Sequence, residues 1–204
     1  SSMTDTARAR IIKNKQSLIG GPGAEGQTGD ILLENGLVRF IVAASDRHLP
    51  HHAAGGNLLD AAVRGGQDRM RLLLPILGPE GAGRFVCRNV RISSPGGQST
   101  AAAAVAKGHY SGDSSVLVTT RYELAPGSSS LEITTTVQNQ GGRGWRQFPL
   151  SDRLYQGRTT RFADCCGLHP RNTEGEGLWI SFFHENQIWG IFPAERGPMT
   201  MQHG

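Results

Sequence analysis

The sequence predicts an all-β fold, an antiparallel β-sandwich with little helix, and three observations carry that expectation. Glycine is frequent, with 28 Gly and 10 Pro in 204 residues, while aromatic residues make up only 6%. Such a composition suits short strands joined by turns better than a helical bundle. Two central segments, 116–124 and 131–137, alternate side chains with a period of two and are rich in β-branched residues. Near the start, Asn35-Gly36 separates ILL from LVRFIVA, the pattern of a tight hairpin.

Taken in order, residues 1–16 read as a solvated basic arm, because ARARIIKNK at 7–15 concentrates positive charge. No aromatic residue interleaves with those cations, so single-strand nucleic-acid binding is not expected. Residues 17–204 read as a single β-sandwich domain, long enough to bury a sizeable core. Its first stretch, GGPGAEGQTGD at 20–30, places Gly21 and Gly26 at the spacing of a phosphate-cradling loop. Such a loop needs a lysine where Gln27 stands, and a helix directly after it. A hairpin follows instead, and Asp30 sits beside the would-be anion site, so the loop reads as a turn.

Further strands are expected at 84–92, 101–107, 146–150, 178–184 and 187–192, the last two split by a turn at Glu185-Asn186. The one helical candidate is DRMRLLLPIL at 68–77, limited by Pro75. No apolar run approaches the length of a membrane span. Cys165 and Cys166 are neighbours, and a bridge between adjacent residues is strained, so free thiols are expected for these and Cys87.

Chemistry-bearing residues fall into two groups. His48, His51 and His52 could hold zinc or another divalent metal if a helix gathered them on one face. Pro50 and the Gly55-Gly56 pair argue against that helix, and no glutamate stands at the offset of a metalloprotease motif. A second set lies in turn-rich polar segments: Asp46, Arg47, Asp68, Arg69, Asp152, Tyr155 and Arg158. These offer donors, acceptors and one stacking ring for a ligand, with turn-backbone acceptance as the plainer role for Asp68 and Asp152. Trp145, Trp179 and Trp189 would serve as sugar platforms or as packing. No G-x-S-x-G elbow is present, and Cys165-Cys166 near His169 lacks the separation in sequence usual for a nucleophile and its base. No complete catalytic constellation emerges.

The succession GGPGAEGQTGDILLENGLVRFIVA, GGNLLDAAV and GGQDRMRLLLPILG resembles the opening of a bacterial domain family. That family is the N-terminal β-sandwich of metallohydrolases similar to carbaryl hydrolase, which carry a PHP-type catalytic domain further along, and of related envelope-associated proteins. LEITTTVQNQG at 131–141 resembles a strand of galactose-mutarotase-like supersandwiches. Asp152, Gly157, Thr159 and Phe162 match the family's D-x-x-x-x-G-x-T-x-x-F segment. The likeness spans residues 17–192 and rests on structural glycines and strand patterns. It implies a mutarotase-like supersandwich and a non-catalytic accessory role, packing on a downstream catalytic domain or a protein partner, with the cell envelope or periplasm as the favoured location. The family's metal ligands lie in its catalytic domain, and a mutarotase's acid and base match nothing here, so activity does not carry over with the fold. The alternatives are a carbohydrate-binding module and a metal-assisted hydrolase using the histidine cluster.

Overall fold

The computed structural model describes residues 6–50, 52–68, 70–78, 83–156, 160–163, 167–168, 175–177, 180–184, 187–193 and 199–201. Where the sequence suggested one domain over 17–204, the chain divides into two compact units, Ser1–Gln156 and Gly157–Gly204. Both are built from antiparallel strands, and the described residues contain no α-helix, only a short 3-10 turn at Lys15–Ser17. No helix among them is long and apolar enough to cross a membrane.

The first unit carries β1 (Arg8–Ile11), β2 (Ile31–Glu34), β3 (Val38–Val42), β4 (His48–Leu49), β5 (His52–Ala53) and β6 (Leu58–Val63). It continues with β7 (Met70–Leu77), β8 (Gly83–Pro95), β9 (Ala102–Tyr110), β10 (Asp113–Leu124), β11 (Leu131–Asn139) and β12 (Leu150–Gln156). Pairing runs β1-β2-β3-β6-β7-β8-β9-β10-β11, with β12 added to β7, while β4 and β5 form a separate two-stranded ribbon. Contacts of β1 with β8 and β9, and of β2 with β9, bring distant parts of this order together, so the sheet folds over on itself. The second unit holds β13 (Thr160–Ala163), β14 (Gly167–Leu168), β16 (Ile180–His184) and β17 (Gln187–Ile191) in one sheet, ordered β14-β13-β16-β17. β15 (Gly175–Gly177) pairs with β18 (Met199–Met201).

Register explains the burial. Leu32 faces Ile41 and Ile41 faces Asp60 across β2, β3 and β6, so these side chains share one face of the sheet. That face packs a core of Ile12, Ile19, Leu32, Ile41, Leu59 and Leu72, closed over by the segment after β1. The alternate residues Ile31 and Leu33 are buried as well. Both faces of β2 are therefore covered, which accounts for its unbroken apolar run. β10 buries Val116, Val118, Thr120, Tyr122 and Leu124 on one face, the strict alternation seen in its sequence.

Two cross-links fix how the parts meet. The Asn35 amide donates to the carbonyls of Ala125 (3.2 Å) and Ser128 (2.7 Å), joining the β2–β3 turn to the β10–β11 turn. Its oxygen also accepts the N–H groups of Leu37 and Val38 at 2.8 and 3.0 Å. Deep in the core, the Tyr122 hydroxyl donates to the Gly56 carbonyl at 2.8 Å. Gly56 has φ +75°, and a Cβ there would meet Cys87 Sγ at 2.8 Å and Ala106 Cβ at 2.9 Å, so only glycine fits.

Three expectations change. Residues 8–11 of the supposed arm form β1, because Ala9 is buried and Arg10 pairs with Glu34 at 3.2 Å. The helical candidate at 68–77 is strand β7, whose apolar run is buried on both faces. Pro75 is tolerated because β6 meets β7 only at Leu73 and β8 joins only from Ile76, leaving a gap in that ladder. The strand expected at 146–150 begins only at Leu150.

Candidate functional site

The glycine loop is held by the protein's own carboxylates. Asp60, on β6 and fully buried, accepts the N–H groups of Glu25 (2.8 Å) and Gly26 (3.0 Å). Asp30 accepts from Gln27 and Ala44, both at 2.8 Å, and its Oδ2 lies 3.6 Å from Arg47 Nε. Asp68 accepts the Ala61 N–H at 2.8 Å, while its backbone bonds Gly20 and Gly23. A Cβ on Gly21 would strike the Asp68 backbone at 2.4 Å, so the loop needs glycine there to lie this close. The N–H groups of Glu25, Gly26 and Gln27 are thus already taken by carboxylates, and those of Gly23 and Ala24 by backbone carbonyls. Burial raises the pKa of Asp60 to about 6, outweighing those bonds, with the charges of Asp30 and Glu25 adding to the rise. Burial likewise raises Asp30, against the bonds from Ala44 and Gln27 and the nearby Arg47 guanidinium.

Two of the three candidate histidines, His48 and His52, are described. In the β4–β5 ribbon His48 pairs with Ala53 and Leu49 with His52, which puts His48 and His52 on opposite faces. Leu49 packs on the core, so His52 turns inward while His48 is exposed. A ribbon, not a helix, follows from Pro50 between the strands. His51 lies outside the described residues. Among those described, no three His, Cys, Asp or Glu side chains are placed to hold a metal ion.

His52 instead borders a cleft of about 310 Å³ on the face of β7. Its ring meets Tyr155 at 4.4 Å between centroids, tilted by 45°. Leu74, Pro75, Ile76 and Phe85 supply apolar lining, and Arg84, Arg153 and Asn57 the polar groups. Arg153 faces Leu74 from β12, and Arg84 faces Ile76 from β8, so the arginines flank β7 on one face. Asn57 is 2% exposed, held through its backbone to Ala43 and Ala54, and its side-chain Oδ1 has no hydrogen-bond partner among the described residues.

Of the nominated ligand residues that are described, the cleft takes only Tyr155. Arg47 is turned inward, donating to the Glu25 carbonyl and facing Asp30, and Asp68 is a buried backbone acceptor, the plainer of its two expected roles. Asp46 is exposed in the loop before the ribbon. Asp152 is exposed on the face of β12 opposite Arg153 and Tyr155, although the surrounding protein desolvates its carboxyl and raises its pKa. Arg69 and Arg158 lie outside the described residues. Trp145 packs with Tyr110 and Phe148 at 6.2 and 5.5 Å, with Arg143 over its ring at 4.2 Å. The side chains of Trp179 and Trp189 fall outside the described set.

Asn57, Arg84 and Arg153 were missed. Arg153 and Tyr155 stand two apart on one strand, and this spacing alone puts them on one face. Nothing local marks Asn57 or Arg84. No family model, curated protein or solved structure matches the chain.

Proposed function

We propose that the chain is a non-catalytic accessory domain that recognises a ligand or partner, and that it packs beside a catalytic domain or protein partner. The observation that carries this reading is the fate of its carboxylates. Asp30, Asp60 and Asp68 are fully buried and bonded to backbone N–H groups, which withdraws them from acid–base work on a bound substrate. The open cleft offers cations, an amide and rings, groups that recognise but do not by themselves form a nucleophile–base pair. The resemblance to the N-terminal sandwich of carbaryl-hydrolase-like proteins points the same way, and the mutarotase-like topology belongs to this proposal.

Protein purified without a histidine tag should contain no stoichiometric zinc or manganese and should turn over no ester, carbamate or phosphoester. A stoichiometric metal lost in His52→Ala together with hydrolytic activity would establish the metal-assisted hydrolase instead.

A further inference from the structure

We propose that the cleft beside His52 and Tyr155 binds a small organic dianion, a linear dicarboxylate with a hydrogen-bond donor between its acid groups. This deepens the reading of the chain as a recognition domain and rests on it.

The charges come first. Six arginines of the first unit, among them Arg10, Arg39 and Arg64, have carboxylate partners. Arg84 and Arg153 have none among the described residues, yet both line the same cleft. β7 lies between the strands that carry them, so their stems stand about 12 Å apart, two interstrand spacings across and two residues along. One small anion would have to be shared between the two guanidinium groups, whereas two carboxylates joined by a short chain give each guanidinium its own partner in the geometry arginine favours.

The surface between the arginines selects the linker. Leu74, Pro75 and Ile76 form its floor, which suits methylene groups and would leave the hydroxyls of a neutral sugar unpaired. Asn57 Oδ1 is a buried acceptor without a partner at this surface. Such a group is costly to leave unmade, so a ligand hydroxyl or N–H that reaches it on a turn of the Asn57 side chain exchanges its bond to water for one that satisfies this oxygen. The volume of about 310 Å³ falls at the small end of metabolite pockets and excludes a polymer from being enclosed.

The test is a titration of the full chain with 3-hydroxyadipate, adipate, hexanoate and inorganic phosphate, followed by calorimetry and by amide NMR. Saturable binding is expected in the order in which they are named, with the Asn57 side-chain amide signal moving most for the hydroxylated diacid. Arg84→Ala and Arg153→Ala sit at exposed positions, and each should weaken 3-hydroxyadipate by about fivefold, as expected for exposed charge pairs. Together they should abolish saturation. Asn57→Asp, which keeps the shape and adds a repelling charge, should also abolish it. If it misfolds, the arginine variants still decide the question. Equal binding of phosphate and diacid, or diacid binding that survives the double arginine change, overturns the assignment. Failure of both diacids to saturate at millimolar concentration overturns it too, while a continued lack of turnover leaves the accessory reading standing.

Discussion

Asp60→Asn should change how the stability of this protein responds to pH between about pH 4 and pH 6. The Asp60 carboxyl is fully buried, and its pKa is about 6 against an ordinary 3.8. Between those values the unfolded chain carries an ionised Asp60 while the folded one keeps the proton. Folding therefore takes up a proton in this window, and the contribution of Asp60 to stability falls as pH rises through it. At 1.36 kcal/mol for each pH unit, the gap amounts to about 3 kcal/mol. Asparagine carries no charge, so its variant loses this dependence, though it also gives up one of the two N–H bonds from Glu25 and Gly26, at about 1 kcal/mol. The assay is urea unfolding of both proteins at pH 4, 5, 6 and 7. The wild type should lose stability relative to Asp60→Asn by about 2 kcal/mol from the acid to the neutral end of this range, since part of the change lies below pH 4. Asp30, raised in the same direction, is present in both proteins and largely cancels. A stability difference that stays constant with pH, or moves in favour of the wild type as pH rises, would refute the reasoning.

Other substitutions probe the cross-links. Asn35→Ala removes two accepted and two donated bonds at the meeting of the turns and should cost about 2–4 kcal/mol in urea unfolding, by summing typical net bonds. Gly56→Ala forces a Cβ onto a positive-φ residue and into Cys87 and Ala106, so a loss of about 2–4 kcal/mol is expected from strain and overpacking together, read as a lower melting temperature. Burial pushes the Cys87 thiol from 9.0 up to about 11. Its thiolate fraction then falls about a hundredfold, partly offset by greater nucleophilicity, so a disulfide reagent at pH 8 should react roughly tenfold more slowly than with a free thiol. Cys165→Ser/Cys166→Ser protein isolates that signal.

The strands that were legible in the sequence are those with one wet face. β10 alternates because its outer side chains reach solvent, and that contrast writes a period of two into the chain. β7 carries no such contrast, since residues 72–77 are buried on both sides, and an apolar run of this kind is equally compatible with a helix. Pro75 then pointed the wrong way. It breaks a helix through its missing N–H, but in β7 it sits in the gap between β6 and β8 on one edge, with β12 passing it on the other. The arm at 1–16 misled for a related reason: its arginines resemble solvated charge until Glu34, distant in sequence, is folded beside Arg10 and Arg39.

The candidate site shows a sharper limit. The glycine loop reads as a turn because Gln27 lacks the charge of a phosphate-binding lysine, yet its spacing does expose backbone N–H groups as an anion site would. What the sequence could not disclose is that Asp60, 34 residues after Gly26, fills that position. A carboxylate from the sheet does the work an anion would do, and its raised pKa is the cost of placing that charge where no water reaches. The same logic separates the nominated ligand residues. Arg47 and Asp68 were chosen for polarity in turn-rich segments, but polar groups in such segments are also what holds turns together, and both are drawn inside. The cleft side chains Arg84, Arg153 and Tyr155 accept no backbone N–H group as Asp60 and Asp68 do, and the Asn57 Oδ1 has no partner among the described residues. On the proposed reading, recognition would fall to side chains on regular strands, where sequence spacing reports the face but not the neighbour.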